Sequence, residues 1–158
     1  MYGINGFVTK SKESSINGFL ETMNNRIIHR GPDEDGFYFE NTSNISIGLS
    51  MRRLSIIDLT SGKQPIYSND KQKVILFNGE IYNFKQLRED LISKGYKFYT
   101  TCDTEVVVNL YDCYGVESFS MLDGMFAFSL YDKTIDKLFI ARDFLEKNHF
   151  IITTTKKN

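Results

Sequence analysis

The order in which strand and helix patterns follow one another is the feature of this sequence that most limits its fold. Strand patterns are predicted at 3–8, 36–40, 45–58, 74–83 and 96–101, and in a hairpin formed by GMFAFSLYD and KLFIARD across the KTID turn. Helical spacing is predicted at 16–27, 83–95 and 103–115. These patterns do not alternate regularly, as a parallel sheet would require. The sequence therefore predicts an α+β fold in which helices pack on antiparallel sheet.

The ends of the three helices are predicted from capping and turn residues. Ser14 or Ser15 is a candidate N-cap for the first helix, which should stop before the Gly- and Pro-containing loop HRGPDEDG (29–36). Asn83 is expected at the start of the second helix and Gly95 at its end. Three residues are predicted to form the apolar face of the second helix: Leu87, Leu91 and Ile92.

Composition excludes several classes of function. With 158 residues the chain is one domain, and its net charge of −1 predicts no attraction to nucleic acid or membrane. No apolar run approaches the roughly 18 residues of a transmembrane helix, and the N-terminus does not resemble a signal peptide. Cys102 and Cys113 are expected to be free thiols in a reducing, cytoplasmic environment. No Cys and His spacing suggests a metal site.

Seven short motifs occur in a fixed order along the chain. They are GINGF (3–7), HRGPDEDG (29–36), RLSIIDLTSGKQP (53–65), NGEIYN (78–83), CDTEV (102–106), GMFAF (124–128) and ARD (141–143). Together they closely resemble the glutaminase half of the glutamine-hydrolysing asparagine synthetases, a class II glutamine amidotransferase domain. The resemblance runs from Tyr2 to Asp143. It implies a four-layer α/β/β/α sandwich of the N-terminal-nucleophile hydrolase type.

The resemblance also implies roles for individual residues. Asn78 and Gly79 match the family's oxyanion hole. Arg53 matches the residue that pairs with the α-carboxylate of glutamine. Asp103 matches the residue that binds the α-ammonium, and Glu80 lies beside the same group. Ile56 and Ile57 are expected to be core residues whose backbone also faces the substrate. HRGPDEDG is expected to form one wall of the pocket, with His29 as a positioned loop residue rather than a base.

Simpler structural explanations exist for three of these matches. Asn78 and Gly79 could form an ordinary hairpin turn, and Asp103 could be an N-cap. Arg52, which has no match in the family, is interpreted as a solvated surface arginine.

Position two departs from the family. There the family has a Cys, whose thiol attacks the glutamine amide while its own α-amine accepts the proton. Tyr2 carries a phenol with a pKa near 10, and a large second residue predicts that Met1 is retained, which removes the free amine. Cys102 lies beside Asp103 but has no terminal amine, so it is not expected to substitute. We therefore predict that the chain does not hydrolyse glutamine at a useful rate.

The sequence after Asp143 also departs from the family. Residues 1–143 are assigned to the amidotransferase-like domain, and 144–158 to a divergent tail. Lys147–Thr153 can be encoded so that a shifted frame reads Lys-Pro-Phe-Tyr-Tyr-Tyr, the family pattern, which suggests a one-nucleotide slip; a genuinely divergent tail is the alternative. The domain is then C-terminally truncated and the synthetase domain, which uses ATP and Mg, is absent. No cofactor is expected in this chain.

Three hypotheses follow for the function. The chain is an inactive glutaminase domain of asparagine biosynthesis, a non-catalytic pseudoenzyme that still binds glutamine, or a scaffold whose fold serves protein contacts. The resemblance further implies a homodimer as in the family.

Overall fold

A computed structural model of the chain describes residues 2–10, 16–54, 63–144 and 151–152. The strands are β1 (Tyr2–Thr9), β2 (Glu34–Asn41), β3 (Ser46–Arg53), β4 (Ile66–Tyr67), β5 (Lys73–Ile81), β6 (Gly124–Asp132) and β7 (Lys137–Arg142). The α-helices are α1 (Ile16–Arg26), α2 (Phe84–Ser93) and α3 (Asp103–Tyr114), with short 3-10 helices at Ile28–Arg30 and Gly115–Met121. The predicted cap at Ser14 or Ser15 lies outside the described residues, as does most of the predicted tail.

The strands form two antiparallel sheets. Sheet A has the order β1-β3-β2, and sheet B has the order β4-β5-β6-β7. In sheet A, β3 pairs with both neighbours so that Arg53 lies opposite Tyr2 on one side and Glu34 on the other. In sheet B, β6 and β7 form the predicted hairpin, closed by the KTID turn at 133–136.

The apolar side chains of β5 alternate between two cores. Val74 and Leu76 belong to the core between the two sheets, whose other buried members are Tyr38, Ile47, Leu49, Met51 and Tyr131. Ile75 and Phe77 belong to the core between sheet B and helices α2 and α3. On the far side of sheet A, α1 packs against β3, where Leu20 lies close to Gly48. The layers are therefore helix, sheet, sheet and helix, and the predicted α/β/β/α sandwich is confirmed.

The predicted strand at 96–101 is wrong. This segment follows α2 as an irregular loop, because a side chain rather than a neighbouring strand satisfies its backbone. The buried Glu105 carboxylate accepts hydrogen bonds from the N–H groups of Tyr99 and Thr100, at 2.9 and 2.7 Å. Arg88 donates a further hydrogen bond to the Thr100 carbonyl oxygen at 2.8 Å, which holds the loop against α2.

The second helix agrees with its prediction in length but not in every residue. Leu87 and Leu91 are buried, whereas Ile92 is 53% exposed and does not belong to the apolar face. Asn83 occupies the N-cap position, but its side chain bonds the Met121 carbonyl and the Asp123 N–H instead of the helix. Gly95, with φ +91°, ends the helix as predicted.

An open groove of about 330 Å³ separates the outer strands of the two sheets, β1 and β7. Its walls are mainly apolar and include Phe7, Leu138 and Ile140. The described dipeptide Ile151 and Ile152 also lines it. Within the described residues, none of the helices has the length and apolar character needed to traverse a lipid bilayer.

The burial of α2 on sheet B gives a direct test of this packing. Leu91→Ala removes a side chain that is fully buried, so we expect the free energy of unfolding to fall by about 2–5 kcal/mol. Ile92→Ala, one residue further along the same helix, should change it by less than about 0.5 kcal/mol. Urea denaturation of both variants measures the difference, and equal losses would contradict the assigned face.

Candidate functional site

One end of sheet A carries Tyr2, Arg53 and Glu34 in a single row across the three strands. Arg53 shares the strand face of Ile47, Leu49 and Met51, which points toward sheet B. Its guanidinium is buried, and Nη1 donates to Glu34 Oε2 at 3.2 Å. The Arg53 charge is therefore held at the inner face of sheet A, next to the backbone of Tyr2.

Arg52 points to the opposite face of sheet A, and its prediction as a solvated surface residue is wrong. It is buried against α1, where Nη2 donates to Asn25 Oδ1 at 2.7 Å. Its Nε also donates to the Asn24 carbonyl oxygen at 3.4 Å. Arg52 thus binds a helix to the sheet, and strand alternation separates it from the site of Arg53.

Asn78 and Gly79 lie within β5, opposite Ala127 and Phe126 of β6. The hairpin-turn alternative is therefore wrong. Asn78 shares the strand face of Leu76, which is directed toward sheet A. Gly79 has φ +147°, and a Cβ there would lie 2.1 Å from the Met125 carbonyl oxygen, so only glycine fits.

Asp103 is the first residue of α3, and the residue at the cap position is Cys102. The N-cap interpretation of Asp103 is therefore wrong. Its Oδ2 instead accepts a hydrogen bond from the N–H of Ile81 in β5, at 2.9 Å. Burial raises the pKa of the Asp103 carboxyl above its usual range, although the hydrogen bond from Ile81 opposes the shift. The carboxylate is thus joined to the strand of Asn78.

Cys102 lies beside this carboxylate as a half-buried free thiol. Its Sγ is 3.0 Å from Thr100 Oγ1. Burial raises the pKa of the Cys102 thiol, and the neighbouring Asp103 charge acts in the same direction. The thiol is therefore mostly protonated at neutral pH, the form that is a poor nucleophile.

Gln64 and Glu34 are the two residues at this site to which the sequence assigned no role. The Gln64 side chain donates from Nε2 to the Phe77 carbonyl oxygen at 2.9 Å and accepts from the Phe77 N–H at 2.6 Å. Its backbone oxygen packs so closely on Gly36 of β2 that a Cβ there would be 2.1 Å away. These contacts of Gln64 with Phe77 and Gly36 place the Asn78 part of β5 and the Arg53 end of sheet A at the same end of the sandwich.

The remaining predicted residues contribute less to this geometry. Ile56 and Ile57 lie outside the described residues. Glu80 is on β5 and exposed, and His29 is exposed in the short helix Ile28–Arg30. Gly31 of the HRGPDEDG segment packs against the backbone of Arg53, where a Cβ would lie 2.4 Å from its nitrogen. No cluster of three metal-binding side chains occurs among the described parts of the chain.

Comparison with known proteins identifies the family. The glutamine amidotransferase domain model matches residues 1–158, so the chain belongs to this family. Asparagine synthetase (glutamine-hydrolyzing) 1 of Bacillus subtilis is 47% identical over 124 residues, covering 78% of this chain and 19% of the relative. Asparagine synthetase (glutamine-hydrolyzing) 2 of Arabidopsis thaliana is 49% identical over 120 residues, covering 75% and 19%. The resemblance stated from the motifs is confirmed. The chain spans about a fifth of the length of these relatives.

Solved structures confirm the fold. The glutamine phosphoribosylpyrophosphate amidotransferase from B. subtilis, complexed with ADP and GMP, matches with a TM-score of 0.64 at 21% identity. The match covers 89% of this chain and 37% of that one. A structure described as the allosteric regulatory enzyme of purine biosynthesis matches with a TM-score of 0.65 at 20% identity, with the same coverage. The chain therefore shares the fold of these two solved structures.

The raised pKa of Asp103 gives a test by stability. The carboxyl titrates at its ordinary value in the unfolded chain and at a higher value in the folded one, so ionisation favours unfolding as pH rises through this interval. Asp103→Asn keeps an oxygen acceptor for the Ile81 N–H but carries no charge. We therefore expect the stability of the variant relative to wild type to increase from about pH 4 to about pH 7. Urea denaturation across this range measures the trend, and a difference independent of pH would contradict it.

Proposed function

We propose that this chain is a glutaminase domain of the asparagine synthetase kind that binds glutamine but does not hydrolyse it. The proposal is supported by two oppositely charged groups, Arg53 at the end of β3 and Asp103 bonded to β5, the strand that carries Asn78. Arg53 is held at the inner face of sheet A, and Asp103 is held on β5 by the Ile81 N–H at 2.9 Å. A free amino acid carries both complementary charges on its α-carbon.

The arrangement suits the α-carbon end of glutamine, which carries both charges. Arg53 would bind the α-carboxylate, because its guanidinium, which also donates from Nη1 to Glu34, is a planar fork that matches the two oxygens of a carboxylate. Asp103 would bind the α-ammonium. Ile81 follows Asn78 by three strand residues, which corresponds to about 10 Å, the scale of an amino acid with a hydrogen bond at each end.

The other end of the ligand would meet Asn78 and Gly79. The Asn78 side-chain NH2 and the Gly79 N–H are donors of the kind that stabilise a developing oxyanion. In a complex without chemistry, the same donors bind the neutral amide oxygen of glutamine.

Hydrolysis is lost because neither part of the nucleophile is present. The phenol of Tyr2 is almost wholly protonated at neutral pH, and a retained Met1 converts the catalytic amine into a peptide nitrogen. A phenolic oxygen also lies several Å further from the backbone than a cysteine sulfur, and about 1 Å of misplacement can cost 10²-fold in rate. Cys102 does not compensate, because burial raises its thiol pKa.

The wider role is inferred from the relatives. They are named as glutamine-hydrolyzing asparagine synthetases, so the proposed ancestry is the ammonia-supplying domain of asparagine biosynthesis. The homodimer, the cytoplasmic location and the absence of cofactor, nucleic-acid and membrane binding stay predictions.

Calorimetric titration with glutamine tests the binding proposal. Wild type should bind, and Asn78→Ala should bind about tenfold more weakly because one hydrogen bond to the amide is lost. Asn44→Ala, an exposed position in the turn before β3, is the matched control and should bind like wild type. Asp103→Asn should weaken glutamine but not glutaramic acid, which lacks the α-ammonium. Absence of binding by folded wild type would contradict the proposal and favour a scaffold role.

Ammonia release tests the loss of hydrolysis. Wild type with glutamine should release no more ammonia than Asn78→Ala, because the attacking group is missing in both. Tyr2→Cys, from which Met1 can be removed, should gain activity if the rest of the site is intact, and the double variant with Asn78→Ala should lose it again. Ammonia from wild type above the Asn78→Ala background would overturn the account.

A further inference from the structure

Gln64 contacts both halves of the candidate site. It is 7% exposed, and both functional atoms of its side-chain amide are bonded to the main chain of one residue, Phe77. Phe77 directly precedes Asn78 in β5. The Gln64 backbone oxygen lies against Gly36, two residues along β2 from Glu34, the partner of Arg53.

The register of sheet B explains why a side chain makes these bonds. β4 pairs with β5 through Ile66 opposite Ile75 and Tyr67 opposite Val74. Continued by two residues, the same register places Gln64 opposite Phe77. The ladder ends before that point, next to Pro65, which has no N–H. The Gln64 amide supplies the donor and the acceptor that a continuing strand would have supplied.

We propose that Gln64 is a positioning residue for the glutamine site. Its amide fixes the N–H and C=O of Phe77, and the C=O shares a peptide plane with Asn78. Gln64 thereby sets the direction in which the Asn78 side chain and the Gly79 N–H face the ligand amide. Its backbone contact with Gly36 fixes this strand relative to the Glu34 and Arg53 row. This inference rests on the proposed function, because the ligand positioned is the glutamine assigned there.

The chemistry of the contact restricts which residues can replace Gln64. An amide presents a donor and an acceptor at the same time, as the C=O and the N–H of Phe77 require. A carboxylate keeps the acceptor for the Phe77 N–H but sets a second oxygen against the Phe77 carbonyl. A methionine has nearly the same length and offers neither hydrogen bond. These two substitutions therefore separate the loss of one bond from the loss of both.

The test uses the full chain labelled with ¹⁵N and compares Gln64→Met and Gln64→Glu with wild type. In Gln64→Met we expect amide exchange at Phe77 to rise about tenfold, as for the loss of one hydrogen bond, with shifted signals for the Asn78 side chain and the Gly79 N–H. Gln64→Glu should keep the protection of the Phe77 N–H but show the same shifts. Both variants should bind glutamine at least about tenfold more weakly. Gln72→Met, at an exposed glutamine just before β5, is the matched control and should change none of these.

A purely structural role predicts a different result. It would lower thermal stability while leaving the Asn78 and Gly79 signals and the glutamine Kd of the folded protein unchanged, and that outcome overturns the proposal. If Gln64→Met does not fold, Gln64→Glu decides by the same signals. If wild type itself does not bind glutamine, the proposed function fails. In that case the chemical shifts of the Asn78 side chain and the Gly79 N–H, together with the amide exchange rate of Phe77, still test whether Gln64 positions these two residues.

Discussion

Strand β5 is packed on both faces, and the position of the candidate site depends on this double burial. Leu76 contributes to the core between the sheets, and Phe77 contributes to the core under α2 and α3. The next two residues, Asn78 and Gly79, have no freedom to shift along the strand unless both cores repack. The proposed oxyanion hole would need donors that are in place before the ligand arrives, and a strand fixed from two sides meets this need.

The residues proposed to bind glutamine and the position of the family's nucleophile lie on different elements. Arg53 is on β3, Asn78 on β5 and Asp103 at the start of α3, whereas position two begins β1. Under the proposed function, a substitution at the start of β1 removes the nucleophile without disturbing the side chains proposed to recognise the ligand. This separation would allow a domain of this family to keep a glutamine pocket without the chemistry.

The sequence predicted most of the fold, because alternation and turn residues mark strands whose partners are other strands. It failed at 96–101, where the Glu105 side chain replaces a strand partner, a substitution that no local pattern reveals. It also misassigned Arg52, since burial of an arginine depends on a distant helix. The family motifs identify Arg53, Asn78 and Asp103 as candidate site residues, and the structure gives their positions. Gln64 belongs to one of the motifs, but its hydrogen bonds to Phe77 span 13 residues, and no local pattern predicts them.

The most direct test of the central claim is a crystal structure of this chain grown with glutamine. The account predicts intact glutamine, with its α-carboxylate on Arg53, its α-ammonium on Asp103 and its side-chain amide against Asn78 and Gly79. Glutamate in the site, or a covalent adduct on Tyr2 or Cys102, would contradict the claim that the pocket remains while the chemistry is lost. Glutamine bound elsewhere would contradict the assignment of the pocket itself.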